Sequence, residues 1–164
     1  MLYENNKLFE NVDDLCNEID DMRGLGKSIV FTNGCFDILH PGHIHILNTA
    51  ATKGDILIVG LNSDHSIQNF KSPNRPICNQ NDRAFVLSAL SCIDIIYIFD
   101  DETPEELIKI VAPDVLVKGS DYKNKYIAGS DFMKKNNKKV ELVDIIDEKS
   151  TSRIIDKITK LDLK

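Results

Sequence analysis

Ser28-Ile-Val-Phe-Thr-Asn-Gly-Cys-Phe-Asp-Ile-Leu-His-Pro-Gly-His43 is the stretch whose reading decides the fold. Its first five residues form a β-branched and aromatic run, which reads as a strand. Asn33-Gly34 breaks that run with turn chemistry. Pro41 then stands where a helix can open, because the first helical residue needs no N–H donor. The helix continues to about Thr52, and Gly54 ends it.

Strand, turn and helix recur on both sides of this unit. Upstream, Leu8, Phe9, Val12, Leu15, Ile19 and Met22 keep helical spacing, so a helix is expected over about 8–23. Gly24 and Gly26 stop it. Downstream, strands are expected at Asp55–Leu61, Ile93–Phe99, Asp114–Lys118 and Lys139–Val143. Helices are expected from Ser63, over Asn81–Ser91, from Thr103-Pro104-Glu105-Glu106, within 119–137, and over Thr151–Leu161. Five short strands alternating with helices imply an α/β chain with a doubly wound parallel sheet covered on both faces. The 164 residues fit one domain, 1–164, with its core at about 27–161. In such sheets ligands bind beyond the carboxyl ends of the strands. Chemistry is therefore sought from Asn33, Asn62, Asp100 and Lys118 onward, and around Ser150.

Composition narrows the class of function. The chain has 26 Asp+Glu against 20 Lys+Arg, a net charge of -6. Duplex nucleic acid needs many phosphate-neutralising cations, so no nucleic-acid partner is expected. A small polyanion could still bind, given a local cluster of cations. No apolar run is long enough to span a bilayer, and the residues after Met1 lack the basic-then-apolar pattern of a leader. The four cysteines contain no CxxC pair, which disfavours zinc and thioredoxin-like centres. A cytoplasmic protein with reduced thiols and no membrane partner is expected. Gly24-Leu-Gly-Lys-Ser28 resembles the end of a phosphate loop, but it precedes a strand and lacks the first glycine, so it reads as a helix stop.

His40-Pro41-Gly42-His43 carries the strongest chemical signal. A helix N-terminus presents free N–H groups and partial positive charge to a phosphate. Gly42 would let that phosphate approach the backbone. His40 and His43 can donate to its oxygens and stabilise charge developing at phosphorus. The bland alternative is a helix cap and a surface histidine. His45 points elsewhere and reads as structural. Cys35 has no evident base and reads as a small buried filler. Ser150, Thr151 and Ser152 are ordinary cap residues by position. Arg83 begins a helix, where a cation opposes the dipole, so a nearby anion or a carboxylate such as Asp82 or Asp101 is expected.

Asn33-Gly-Cys-Phe-Asp-Ile-Leu-His-Pro-Gly-His43 resembles the HxGH element of the cytidylyltransferase-like nucleotidyltransferases. The whole chain over about 8–160 is similar to the adenylyltransferase domain of bacterial ADP-heptose synthases, through Gly60–Asp64, Asn74–Ile77, Asp82–Ala84, Phe99–Leu107, Pro113–Tyr122 and Ser150–Ser152. The resemblance implies a Rossmann-like fold. It also implies transfer of AMP from ATP to D-glycero-β-D-manno-heptose 1-phosphate, with Mg²⁺ on the triphosphate. His40 and His43 would be catalytic. Nucleotide contacts would come from Asn33, Gly34, Cys35, Phe36 and Gly42, from Lys118, Gly119 and Asp121, and from Ser150, Thr151 and Ser152. Sugar-phosphate contacts would come from Asp37, Asn62, Asp64, Lys71, Arg75 and Arg83. Where the family has glycine and an aromatic residue before the hydroxyl run, this chain has Glu148 and Lys149. A homodimer and a separate upstream sugar kinase are further expectations. The alternatives are a cytidylyltransferase for glycerol 3-phosphate or another polyol phosphate, against which Ile146-Asp-Glu-Lys149 speaks, and a non-catalytic nucleotide-binding module.

Overall fold

The computed structural model describes residues 6–146 and 149–161. Asp147 and Glu148, and with them part of the departure before Ser150, lie outside the described residues, as do 1–5 and 162–164. The strands are β1 (Leu8–Phe9), β2 (Ile29–Gly34), β3 (Ile56–Asn62), β4 (Ile95–Phe99), β5 (Val115–Gly119) and β6 (Lys139–Val143). The helices are α1 (Val12–Gly24), α2 (Pro41–Ala51), α3 (Asp64–Phe70), α4 (Gln80–Ser88), α5 (Glu105–Val111), α6 (Ser130–Lys135) and α7 (Thr151–Thr159). All strands pair in parallel in the order β1-β4-β3-β2-β5-β6. The expected α/β class is therefore correct.

Two expected boundaries move. Leu8 and Phe9 are not helical; they form an edge strand against Ile96 and Tyr97. Helix α1 instead starts after Asn11, whose side chain caps the N–H of Asp13. Helix α5 starts after Pro104, later than the expected start at Thr103, and its N-cap makes no side-chain hydrogen bond.

Alternation along each strand sends residues to two cores. Val30, Leu57, Val59, Leu61, Ile96 and Val117 pack with Leu47 of α2 and Ala84 and Leu87 of α4. Ile29, Phe31, Ile58 and Leu116 pack on the other face with Leu15 and Ile19 of α1, Ile108 of α5 and Met133 of α6. Burial on both faces explains why the strands read as continuous apolar runs. Gly60 lies under Phe31 because a Cβ there would stand 2.7 Å from Phe31 Cζ.

The strand order reverses between β2 and β5. The β2–β3 ladder runs on to Gly34 and Leu61, whereas β2 and β5 are paired at Val30–Val115 and Phe31–Leu116. Past those residues the two carboxyl ends are free to part, which opens a crevice at the switch point.

Candidate functional site

A cavity of about 570 Å³ occupies that crevice. Its floor is Thr32, Asn33 and Gly34 from β2, Asn62 from β3, and Lys118 and Gly119 from β5. Cys35, Phe36, Asp37 and His43 form one wall, and Thr151 of α7 closes it. Phe70, Lys71, Glu102, Thr103, Tyr122 and Tyr126 complete the lining.

The histidine wall is built by unusual backbone. Phe36 and Ile38 have φ of 47° and 49°, a left-handed region that costs a β-branched residue most. This places the Phe36 ring, itself buried, 5.4 Å from His43 in an edge-on contact. His40 is the N-cap of α2 but makes no side-chain cap bond. Its ring stacks on His43 instead, with centroids 3.7 Å apart. Burial, aided by His40 and Lys71 and opposed by Asp37, pushes His43 down to about 4. Burial also lowers His40. Two imidazoles in contact resist becoming doubly charged, so the pair is neutral near pH 7. The Nδ1 atoms of both rings are buried without a hydrogen-bond partner among the described residues. A neutral imidazole has one donor and one acceptor nitrogen. His40 is therefore not a side-chain helix cap; its ring backs His43, which lines the cavity.

Gly42 departs from expectation. A Cβ there would meet the His40 ring at 3.0 Å and the Lys149 carbonyl at 3.2 Å. A side chain there would crowd the His40 ring and the Lys149 carbonyl, and Gly42 is buried and is not among the residues lining the cavity.

The four expected cations gather at this end of the sheet, but only Lys71 and Lys118 line the cavity. Lys118 is buried at the crevice, donates to both oxygens of Asn33, and lies 5.2 Å from the Tyr122 ring. Arg75 donates through Nε to Asp37 at 2.9 Å. The Asp37 carboxylate, 1% exposed, also accepts from the N–H groups of Ile77 and Cys78. Burial would raise its pKa, but those two N–H groups and the guanidinium hold it below the usual carboxylate value. Arg83 is spent entirely on the protein. It donates to the carbonyls of Cys78, Cys35 and Asn62 and pairs with Asp64 at 2.7 Å. Its partner is thus Asp64, not Asp82 or Asp101. Arg75, Arg83 and Asp64 stand behind the lining, and Asp37, which lines it, has its carboxylate paired with Arg75 rather than presenting free charge.

The remaining expected residues divide. Asn62 is buried and donates to Ser66 Oγ. Cys35 is half-buried and part of the wall, not a buried filler. Gly119 leaves room for Asp121, whose Oδ1 would stand 2.5 Å from an added Cβ. Ser150 caps α7 by accepting from Arg153 N–H, and Ser152 is exposed away from the cavity lining. Thr151 donates to the Asp37 carbonyl at 2.6 Å, which pins α7 to the histidine wall. Glu102, Thr103 and Tyr126 were not singled out from the sequence. Glu102 and Thr103 fall within the Phe99–Leu107 segment of the resemblance but carried no site role there, and Tyr126 had only its position after β5 as a signal.

Among the described residues no cluster of three His, Cys, Asp or Glu side chains could hold a metal ion. None of their helices is long and apolar enough to cross a membrane.

The family model described as cytidylyltransferase-like matches residues 31–157. The chain is 53% identical over 133 residues to the bifunctional protein HldE of Campylobacter fetus, covering 81% of this chain and 28% of that protein. It is 46% identical over 151 residues to the bifunctional protein HldE of Geobacter metallireducens, covering 92% and 31%. It thus spans less than a third of the length of these relatives. Among solved structures, the lipopolysaccharide core biosynthesis protein of Thermoplasma volcanium superposes with a TM-score of 0.60 at 29% identity, over 74% of this chain and 98% of that one. Pantoate-β-alanine ligase of Francisella tularensis superposes with a TM-score of 0.63 at 15% identity, over 88% and 68%, a likeness of fold alone.

Proposed function

Because this chain belongs to the cytidylyltransferase-like family, we propose that it transfers AMP from ATP to D-glycero-β-D-manno-heptose 1-phosphate, giving ADP-heptose and pyrophosphate. The observation that carries the reading is the stacked, neutral His40–His43 pair, with His43 at the cavity formed at the switch point. A phosphate oxygen of the sugar attacks the α-phosphorus, and the bond to the β-phosphate oxygen breaks. No covalent enzyme intermediate is needed. The protein binds, aligns and stabilises charge.

In this reading His43 donates to an α-phosphate oxygen, and His40 buttresses it while contacting the same phosphate chain. Lys118 and Thr151 hold the nucleotide side of the cavity. Lys71, Asn62 and Thr103 take the sugar phosphate. Arg75, Arg83, Asp37 and Asp64 fix the backbone that carries these groups. Mg²⁺, arriving with the triphosphate, would neutralise phosphate charge. The cavity carboxylates Glu102 and Asp121 suit such an ion, which keeps most of its ligands as phosphate oxygens and water. The likeness to a lipopolysaccharide core biosynthesis protein and the motif resemblance to ADP-heptose synthases support a sugar-phosphate acceptor. The protein acts in the cytoplasm as a homodimer, and a sugar kinase reaction supplies the 1-phosphate.

Pyrophosphate release is the test, measured with ATP, CTP and GTP against heptose 1-phosphate, glycerol 3-phosphate and FMN. Release with ATP and heptose 1-phosphate is expected. Activity confined to CTP with a polyol phosphate, or nucleotide binding with no release under any pairing, would overturn the reading.

A further inference from the structure

We infer that Asn33 is a positioning residue, which holds the Lys118 ammonium in place while leaving its charge uncompensated for a nucleotide phosphate. The inference rests on the nucleotide-binding reading above and assigns Asn33 a role other than direct nucleotide contact.

Lys118 and Asn33 stand on β5 and β2, two residues beyond the Phe31–Leu116 pair. There the strands are no longer held by the ladder, and the Lys118 side chain bridges the gap. Its Nζ donates to the main-chain and side-chain oxygens of Asn33. Lys118 is 6% exposed, and an ammonium that deep is costly unless it is paired. Yet it makes no salt bridge among the described residues. The groups facing it are the amide of Asn33, the Tyr122 ring at 5.2 Å, and the more distant Asp121 and Cys35. Burial pushes Lys118 down to about 8, and Asp121 and then Cys35 oppose the shift.

A neutral partner is the relevant choice. A carboxylate at position 33 would satisfy the ammonium fully and cancel its field. An amide oxygen orients the ammonium but does not neutralise it. The charge then stays available at the floor of a cavity where an anion can complete the pair. The Asn33 side-chain oxygen is engaged by the ammonium, so through that atom Asn33 acts on Lys118.

Two substitutions distinguish this role from a merely structural one. Asn33→Asp places a carboxylate beside Lys118 and raises its titration midpoint. Asn33→Ala removes an acceptor and lowers that midpoint. Both weaken ATP, the first by repulsion and the second by loss of positioning. The loss is about tenfold or more, the scale of one hydrogen bond to a charged group. The side-chain NMR titration of Lys118 and calorimetric titration with ATP, at about pH 7 and about pH 9, read the two effects separately. Circular dichroism melting checks the fold, and Asn33→Ala carries the test alone if Asn33→Asp unfolds. Opposite midpoint shifts with weaker ATP binding in both variants are expected. Unchanged midpoints, or unchanged ATP affinity in a protein that binds ATP, would overturn the inference. Opposite shifts in a protein whose wild type binds no ATP would leave the Asn33 role standing and defeat the nucleotide reading.

Discussion

Replacing Arg83 with methionine tests whether the cavity walls are held from behind. The Arg83 side chain is 1% exposed, and Asp64, its ionic partner, is 32% exposed. Methionine fills much of the same volume, so the change isolates the guanidinium. Four donations disappear, leaving the carbonyls of Cys35, Asn62 and Cys78 and the Asp64 carboxylate without it. Removing one partner of a buried pair costs about 3–5 kcal/mol. Two terms reduce this. Asp64 is partly solvated, and Cys35 and Asn62 border a cavity that water can enter. A loss of about 3 kcal/mol results, and at ~2–4 °C per kcal/mol the melting temperature falls by about 10 °C. Arg83→Lys keeps the charge but cannot reach three carbonyls at once, so it loses about 1–2 kcal/mol. Urea unfolding of the three proteins measures both steps. A loss below about 1 kcal/mol for the methionine variant, the range of ordinary surface changes, would refute the hub role.

His43→Ala should lower turnover by about two to three orders of magnitude, the cost of a comparable transition-state donor, with pyrophosphate release and melting measured side by side. Asp37→Asn should remove an acid-sensitive share of stability. The folded pKa of Asp37 is depressed, so its contribution is present above the unfolded value and is lost as pH falls through the folded one. The stability gap between wild type and variant should therefore be wide at about pH 7 and shrink as pH falls below the ordinary carboxylate range in urea titrations; a gap that does not change with acid would contradict the Arg75–Asp37 assignment. Gly60→Ala puts a Cβ 2.7 Å from Phe31 Cζ and 3.2 Å from Leu107 Cδ2 and Asn33 Cβ. Overpacking of that kind costs about 1–3 kcal/mol in chemical unfolding.

The β2–α2 turn was legible because its signals are local: an apolar run, Asn33-Gly34, then Pro41. Leu8 and Phe9 misled because two adjacent apolar residues fit either period, and only pairing with Ile96 and Tyr97 decides between them. Arg83 was recognised as a cation in need of an acid. The acid is 19 residues upstream, and only the fold brings them together. The histidine pair was visible as a motif, but not that the rings stack, nor that Gly42 serves their packing. Glu102 and Thr103 resemble any polar loop residues until β4 is placed beside β3.

No residue of α7 is buried, and the hydroxyl of its first residue donates to the Asp37 carbonyl. The helix therefore finishes the cavity without supporting the core. Thr151 borders the cavity, so a change there is felt by the ligand, whereas changes at the exposed residues further along α7 are tolerated by the fold. A lineage could retune what Thr151 offers the cavity while both cores stay untouched, so selection on specificity and selection on stability act here on separate residues.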